Sequence, residues 1–238
     1  MSSRRNSGSS LPDLHKYYEE SQRPLAILAY LTPFALLYEV GMTLFHNKVV
    51  ASSLLQRFVG MFDVNGRGVP FALLVVTLLT WHLVKKDKWR VRFATLGGML
   101  IESLLLALPV IAISVICRRS IPLYTLESRS SLAALWAVSM GAGVYEELLF
   151  RFYGCGILRF LFEFLLRIKP PVSTVLIIIV SAVLFSLYHY LGTERFSAFT
   201  FFFRALAGAY FTGLFLYRGL GVTAGAHAIY DIIVVTVV

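Results

Sequence analysis

Long apolar runs broken by short polar punctuation dominate the chain. Seven runs stand out: Leu25–Phe45, Val69–Val84, Leu96–Ile116, Leu132–Phe150, Thr174–Tyr190, Phe199–Tyr217 and Leu220–Val238. Stretches such as VLIIIVSAVLF and FALLVVTLL are apolar at nearly every position. A membrane β-strand would alternate apolar and polar positions over about ten residues, whereas a spanning helix needs about 20 predominantly apolar ones. Only helices and closed barrels satisfy their backbone groups in lipid, so the pattern predicts helices. Val49–Phe62 is too short and too polar to span, and is expected to be interfacial or re-entrant. The predicted fold class is therefore all-α: a polytopic membrane helical bundle of about seven transmembrane helices plus one interfacial or re-entrant helix.

Composition narrows the class further. Of 238 residues, 58% are hydrophobic and 15% charged, against roughly 45–50% and about 25% in soluble domains. That excludes an ordinary soluble enzyme, a disordered tail and a nucleic-acid-binding domain. The organisation expected is a polar cytoplasmic segment over residues 1–24, a transmembrane half over 25–131 and a second transmembrane half over 132–238. The polar start has no h-region of a cleavable signal peptide, so the first span is expected to direct insertion itself. The net charge of +9 comes from basic residues between apolar runs, which orient helices and meet anionic lipid. Fourteen Lys and Arg lie on the side of the N-terminus and seven on the other, which predicts a cytoplasmic N-terminus. Lys85, Lys86, Lys88, Arg90 and Arg92 make the most basic loop, a topology anchor. Cys117 and Cys155 have no CxxC spacing and are expected to be free thiols.

Ionisable residues inside apolar helices cost roughly 2.5–3.5 kcal/mol each at a helix centre, so each needs a reason. The densest cluster is Tyr145-Glu146-Glu147-Leu148-Leu149-Phe150-Arg151. Glu147 and Arg151 are four apart with the acid first, the favourable order for a structural ion pair. Glu146 lies about 100° round the helix and is left available as a base or a ligand. His189 closes the fifth run, and His227 and Asp231 share a face of the last, where Asp231 can orient His227. A carboxylate and two imidazoles on three helices can converge on one water, as a hydrolase requires.

These residues resemble the CAAX protease and bacteriocin-processing family of intramembrane proteases, similar to the type II CAAX prenyl endopeptidases. That family's signature is EExxxR, FxxxH and HxxxN or HxxxD on separate helices. Here they are Glu146-Glu147-xxx-Arg151, Phe185-xxx-His189 and His227-xxx-Asp231, followed through a glycine-rich stretch between Gly208 and Gly225. The resemblance covers roughly Leu132–Val238, and implies an endopeptidase in which Glu146 activates water and His189 and His227 assist. The substrate implied is a membrane-associated peptide or protein, lipidated or not: a prenylated C-terminus, a bacteriocin leader or a sorting tail. A metal-free, glutamate-dependent mechanism is favoured. The alternative is a zinc site formed by Glu146, His189 and His227, although HExxH is absent. Asp231 stands where prenyl endopeptidases commonly carry Asn. An ionised Asp cannot donate to an oxyanion, which leaves it the orienting role. The location implied is a multi-pass membrane protein, of the inner membrane in a bacterium or the endoplasmic reticulum in a eukaryote.

Other features rank lower. Glu39 and Glu102 have no basic partner within a turn and are expected to line a cavity or hydrogen-bond across helices. Phe199–Phe203, with Tyr210 and Phe211, reads as an aromatic stripe for which lipid-facing packing is favoured over contact with a lipid moiety of a substrate. No nucleotide-binding motif and no internal repeat occurs, which disfavours ATP-driven work and the rival reading, a proton-coupled transporter or non-proteolytic scaffold using the same polar cluster. One geometric demand follows. If the fourth helix ended at Phe150, Glu146 and His189 would sit at opposite membrane faces. The helix must run unbroken through Glu146–Arg151 towards Phe162, with His189 held inside.

Overall fold

The computed structural model describes residues 11–45, 68–117, 131–191 and 195–237. Val49–Phe62 lies outside the described residues. The order is α1 (Leu11–Ser21), α2 (Pro24–Phe45), α3 (Val69–Lys85), α4 (Phe93–Cys117), α5, α6 (Val172–Tyr188), α7 (Ala198–Arg218) and α8 (Leu220–Val237), with no strand among the described residues. Helix α5 starts as an α-helix over Leu132–Glu147 and widens to a π-helix over Leu148–Gly154. It returns to α over Cys155–Arg159 and is π again over Phe160–Leu165.

Among the described residues, five helices are long and apolar enough to cross a membrane: α2, α4, α6 with its last turn, α7 and α8. Two of the seven expected spans fall short of that description. Helix α3 has 17 residues, about 25 Å at 1.5 Å per residue, against a hydrocarbon core of about 30 Å. Helix α5 has the length but carries Glu146, Glu147, Arg151 and Arg159 along its course. The protein is an integral membrane protein, and its lipid-facing surface is set by exposed aliphatic side chains such as Leu105, Leu108, Val175 and Ile179.

Small residues decide how closely the helices approach, as is usual where lipid competes for apolar surface. A Cβ placed on Gly143 of α5 would lie 2.3 Å from the backbone nitrogen of Ala228 on α8, so these two backbones touch. Gly41 of α2 meets Ala137 of α5 in the same way. Helices α7 and α8 are joined through Gly219 alone, whose φ of 78° is left-handed and whose N–H caps the Phe215 carbonyl. Trp136 Nε1 donates to Thr236 Oγ1 at 2.8 Å, completing the antiparallel α5–α8 pairing.

The polar N-terminal segment contains a helix that was not expected. Leu14, Tyr17, Tyr18 and Ser21 recur at helical spacing along α1. Tyr17 Oη donates to Glu102 Oε2 of α4 at 2.6 Å, and Ser21 accepts from Arg218 at 3.1 Å. Glu102 is bound twice by the Arg218 guanidinium, with Arg218 Nη2 at 2.6 Å from Oε2. Glu102 therefore clasps α1, α4 and α7, the hydrogen bonding across helices that was expected of it. Glu39 accepts from the Gly68 N–H at 3.1 Å, tying α2 to the start of α3.

Candidate active site

Helix α5 continues past Phe150 and packs antiparallel to α6. Ser173 Oγ donates to Glu163 at 2.9 Å at one end, and the Cys155 thiol lies 3.7 Å from Ser181 Oγ further along. Phe150 then packs edge-on against Phe185 and Tyr188 with ring centres 5.4 Å and 5.0 Å apart. One more turn along α5 brings Glu146 to the level of His189. The helix is unbroken through Glu146–Arg151, and the unexpected feature is its change from α to π directly after Glu147. A π-turn inserts an extra residue into the helical repeat, a deviation often found at functional sites.

Glu147 and Arg151 form the expected pair, Oε2 to Nε at 3.1 Å, and both side chains are wholly enclosed. The other oxygen of Glu147 is engaged as well. Its Oε1 accepts from His227 Nδ1 at 2.8 Å, across from α8. Asp231 Oδ2 stands 3.6 Å from His227 Nε2, beyond hydrogen-bond reach. Asp231, expected to orient His227, stays within ion-pair distance of it, and the structure adds Glu147, which makes the shorter bond. A carboxylate held 80 positions away in sequence outcompetes the one a turn along, because the Gly143–Ala228 contact brings α5 and α8 together.

Aromatic rings wall the cluster. Phe211 stacks on His227 with centroids 4.6 Å apart and planes 18° apart. Phe185 lies edge-on to His189 at 4.9 Å and to His227 at 6.0 Å, and the Arg151 guanidinium sits 4.4 Å from the centre of its ring. Phe211 is 1% exposed, and Tyr210 Oη donates to the Leu106 carbonyl at 2.7 Å. Both were read from sequence as lipid-facing. Phe202, at 69% exposure, keeps that role.

His189 opens a 3-10 turn that ends α6, and its Nδ1 donates to the Phe185 carbonyl at 2.9 Å. Both imidazoles thus spend Nδ1 on protein atoms. Glu146 and Asp231 are partly exposed. Glu147, next to Glu146 in α5, is bound to both Arg151 and His227, and Asp231 stands 3.6 Å from His227. Glu146, Glu147, Arg151, His227 and Asp231 therefore share one polar island, with His189 at its edge through Phe185. Among the described residues, no three His, Cys, Asp or Glu side chains converge as metal ligands. Sequence reasoning missed Phe211 and gave Arg204 no role. An arginine within an apolar run was the signal for the second.

Residues 128–233, under half of the chain, match the family model described as type II CAAX prenyl endopeptidase, Rce1-like. This match supports the CAAX protease family for that part of the chain. It spans α5 to α8 and every residue of the polar island, while the first half of the chain lies outside it. No curated protein and no solved structure matches the chain. The match supports a CAAX-type intramembrane endopeptidase in general terms.

Proposed function

We propose that Glu146 is the general base of a metal-free peptide hydrolysis. What supports this reading is the division of labour between the two adjacent glutamates. Glu147 is enclosed, with one oxygen on His227 and the other on Arg151, so no water can reach it. Glu146 is partly exposed on the same island. In the reaction proposed, Glu146 takes a proton from water as the oxygen attacks the scissile carbonyl. His189 and His227 donate to the developing oxyanion. The C–N bond then breaks, and the protonated Glu146 returns its proton to the leaving amine.

The substrate class follows from orientation. Helix α1, the 86–92 loop and Gly219 lie at one end of the bundle. The enclosed members Arg151 and Thr212 lie on that side of the island, whereas the partly exposed His189, Asp231 and Arg204 lie on the other. With a cytoplasmic N-terminus, as the basic residues favour, the reachable side of the site faces away from the cytoplasm and suits leader peptides or sorting tails. The reverse orientation suits prenylated tails on the cytoplasmic leaflet. A single cysteine placed at Lys16 in a protein lacking Cys117 and Cys155 distinguishes the two. Labelling by an impermeant maleimide only after permeabilisation places the N-terminus inside.

Proteoliposomes offered fluorogenic peptides, with and without a prenylated cysteine, test the activity itself. The expected result is cleavage that persists in EDTA or phenanthroline. Loss to the chelator with recovery on added zinc would instead support ligation by Glu146, His189 and His227. Proton-coupled flux without cleavage would support the transporter reading.

A further inference from the structure

Helix α8 carries His227 and is joined to α7 by Gly219 alone, so its height along α5 has to be set by what it packs against. The face it offers is smooth. Its first turns run Leu220-Gly221-Val222-Thr223-Ala224-Gly225-Ala226-His227-Ala228, all of them buried. A Cβ on Gly221 would lie 2.6 Å from Met99 of α4 and 3.2 Å from Ile27 of α2, and one on Gly225 would run into Tyr30 Oη of α2 and Ser103 Oγ of α4. Glycine and alanine admit close approach but supply little ridge to interlock, so packing alone resists sliding or turning of α8 only weakly. A directional bond is needed as the stop.

Ser103 makes that bond. Its Oγ donates to the Val222 carbonyl at 3.1 Å and accepts from Tyr30 Oη at 3.0 Å, and Ser103 is 0% exposed. Val222 lies in the first turn of α8, five residues before His227. Glu102, next to Ser103, holds Arg218 on the other side of the Gly219 corner. At the far end of α8 the bond from Trp136 to Thr236 is exposed. A helix rises about 1.5 Å per residue, so a slip of about half a residue is enough to take the 2.8 Å bond between His227 and Glu147 beyond hydrogen-bond reach. We propose that Ser103 is a positioning residue: by holding the Val222 carbonyl it sets the height of α8, and with it the reach of His227 to Glu147 and to the reacting carbonyl. The link to turnover rests on the catalytic reading above. Ser103 belongs to the first half of the chain, outside the matched residues 128–233, so that half holds the catalytic one in register.

The test compares Ser103→Ala, Ser103→Cys, Tyr30→Phe and the double variant Ser103→Ala with Tyr30→Phe, all in nanodiscs. Tyr30→Phe removes a buried hydrogen bond to Ser103 but leaves the one to Val222, so it controls for lost stability. The double variant removes the Val222 bond without leaving the Tyr30 hydroxyl unpartnered. In Ser103→Ala and in the double variant kcat should fall by about tenfold or more with KM within about twofold of the parent, since a small misplacement of an assisting group acts on the chemical step. Tyr30→Phe should keep a kcat near the parent's, and Ser103→Cys, which retains a weaker donor, should recover part of the loss. A second readout needs no turnover. With ring-15N-labelled histidine, the downfield Nδ1 proton resonance of His227, assigned by its loss in His227→Gln, should move upfield in both Ser103→Ala proteins and stay in place in Tyr30→Phe. An unmoved resonance in folded Ser103→Ala protein overturns the proposal, as does an equal loss of kcat in Tyr30→Phe, which a merely stabilising hydrogen bond would give. If Ser103→Ala does not fold, the double variant and Ser103→Cys decide the question against Tyr30→Phe. Cleavage by Glu146→Gln protein would refute the catalytic reading, and the resonance would still judge Ser103 independently.

Discussion

Glu147 holds two helices with one carboxylate, and this decides what its loss should do. Glu147→Ala leaves Arg151 charged and enclosed, and Arg151→Ala does the same to Glu147, a loss on the order of 3–5 kcal/mol. Each single variant should melt well below the parent in detergent. The double variant Glu147→Gln with Arg151→Met should recover part of that loss, since no lone charge remains. Single variants that melt like the parent would refute the enclosed pair. The Glu147–Arg151 bond was legible in the sequence because four residues make one helical turn. The Glu147–His227 and Glu102–Arg218 bonds were not, since spacing along a chain says nothing of which helices meet across 80 or 116 positions. For the same reason the sequence pointed to Asp231 as a partner of His227 and not to Glu147.

At the scale of elements, apolar run length placed α2, α4, α6, α7 and α8 within a few residues. It placed α5 less well, because charges interrupt that run and its continuation to Leu165 depends on packing against α6. Helix α1 escaped a reading that looked for apolar length, although its spacing of Leu14, Tyr17, Tyr18 and Ser21 carried the signal. The α5–α8 contact can be tested by size alone. Gly143→Ala puts a methyl 2.3 Å from the Ala228 nitrogen, and overpacking of this kind costs about 1–3 kcal/mol. Gly156, in the same helix, has nothing within 4 Å of the same position. Gly156→Ala should be neutral or stabilising by up to about 1 kcal/mol from helix propensity. Thermal melts of the two variants check both signs, and a harmless Gly143→Ala would contradict the close approach that carries His227 to Glu147.

At the scale of the whole molecule, α1 clasps the end of the bundle opposite the reachable side of the site. Burial pushes the Glu20 carboxyl up, but the bond from Arg92 Nε at 2.5 Å and that from Thr95 Oγ1 at 2.9 Å outweigh it and hold Glu20 below its ordinary value. A depressed carboxylate contributes stability that is present above its unfolded pKa, about 4.3, and is lost as pH falls through its folded value. Detergent melts should therefore decline below about pH 4, and less steeply in Glu20→Gln. An identical decline in both proteins would remove α1 from the account of stability. The central claim concerns Glu146, and single-substitution cleavage in proteoliposomes tests it most directly. Glu146→Gln keeps the shape and removes the base, so it should abolish cleavage while melting within about 1 kcal/mol of the parent. An active Glu146→Gln beside a normally folded but inactive Glu147→Gln would contradict it and reverse the roles of the two glutamates.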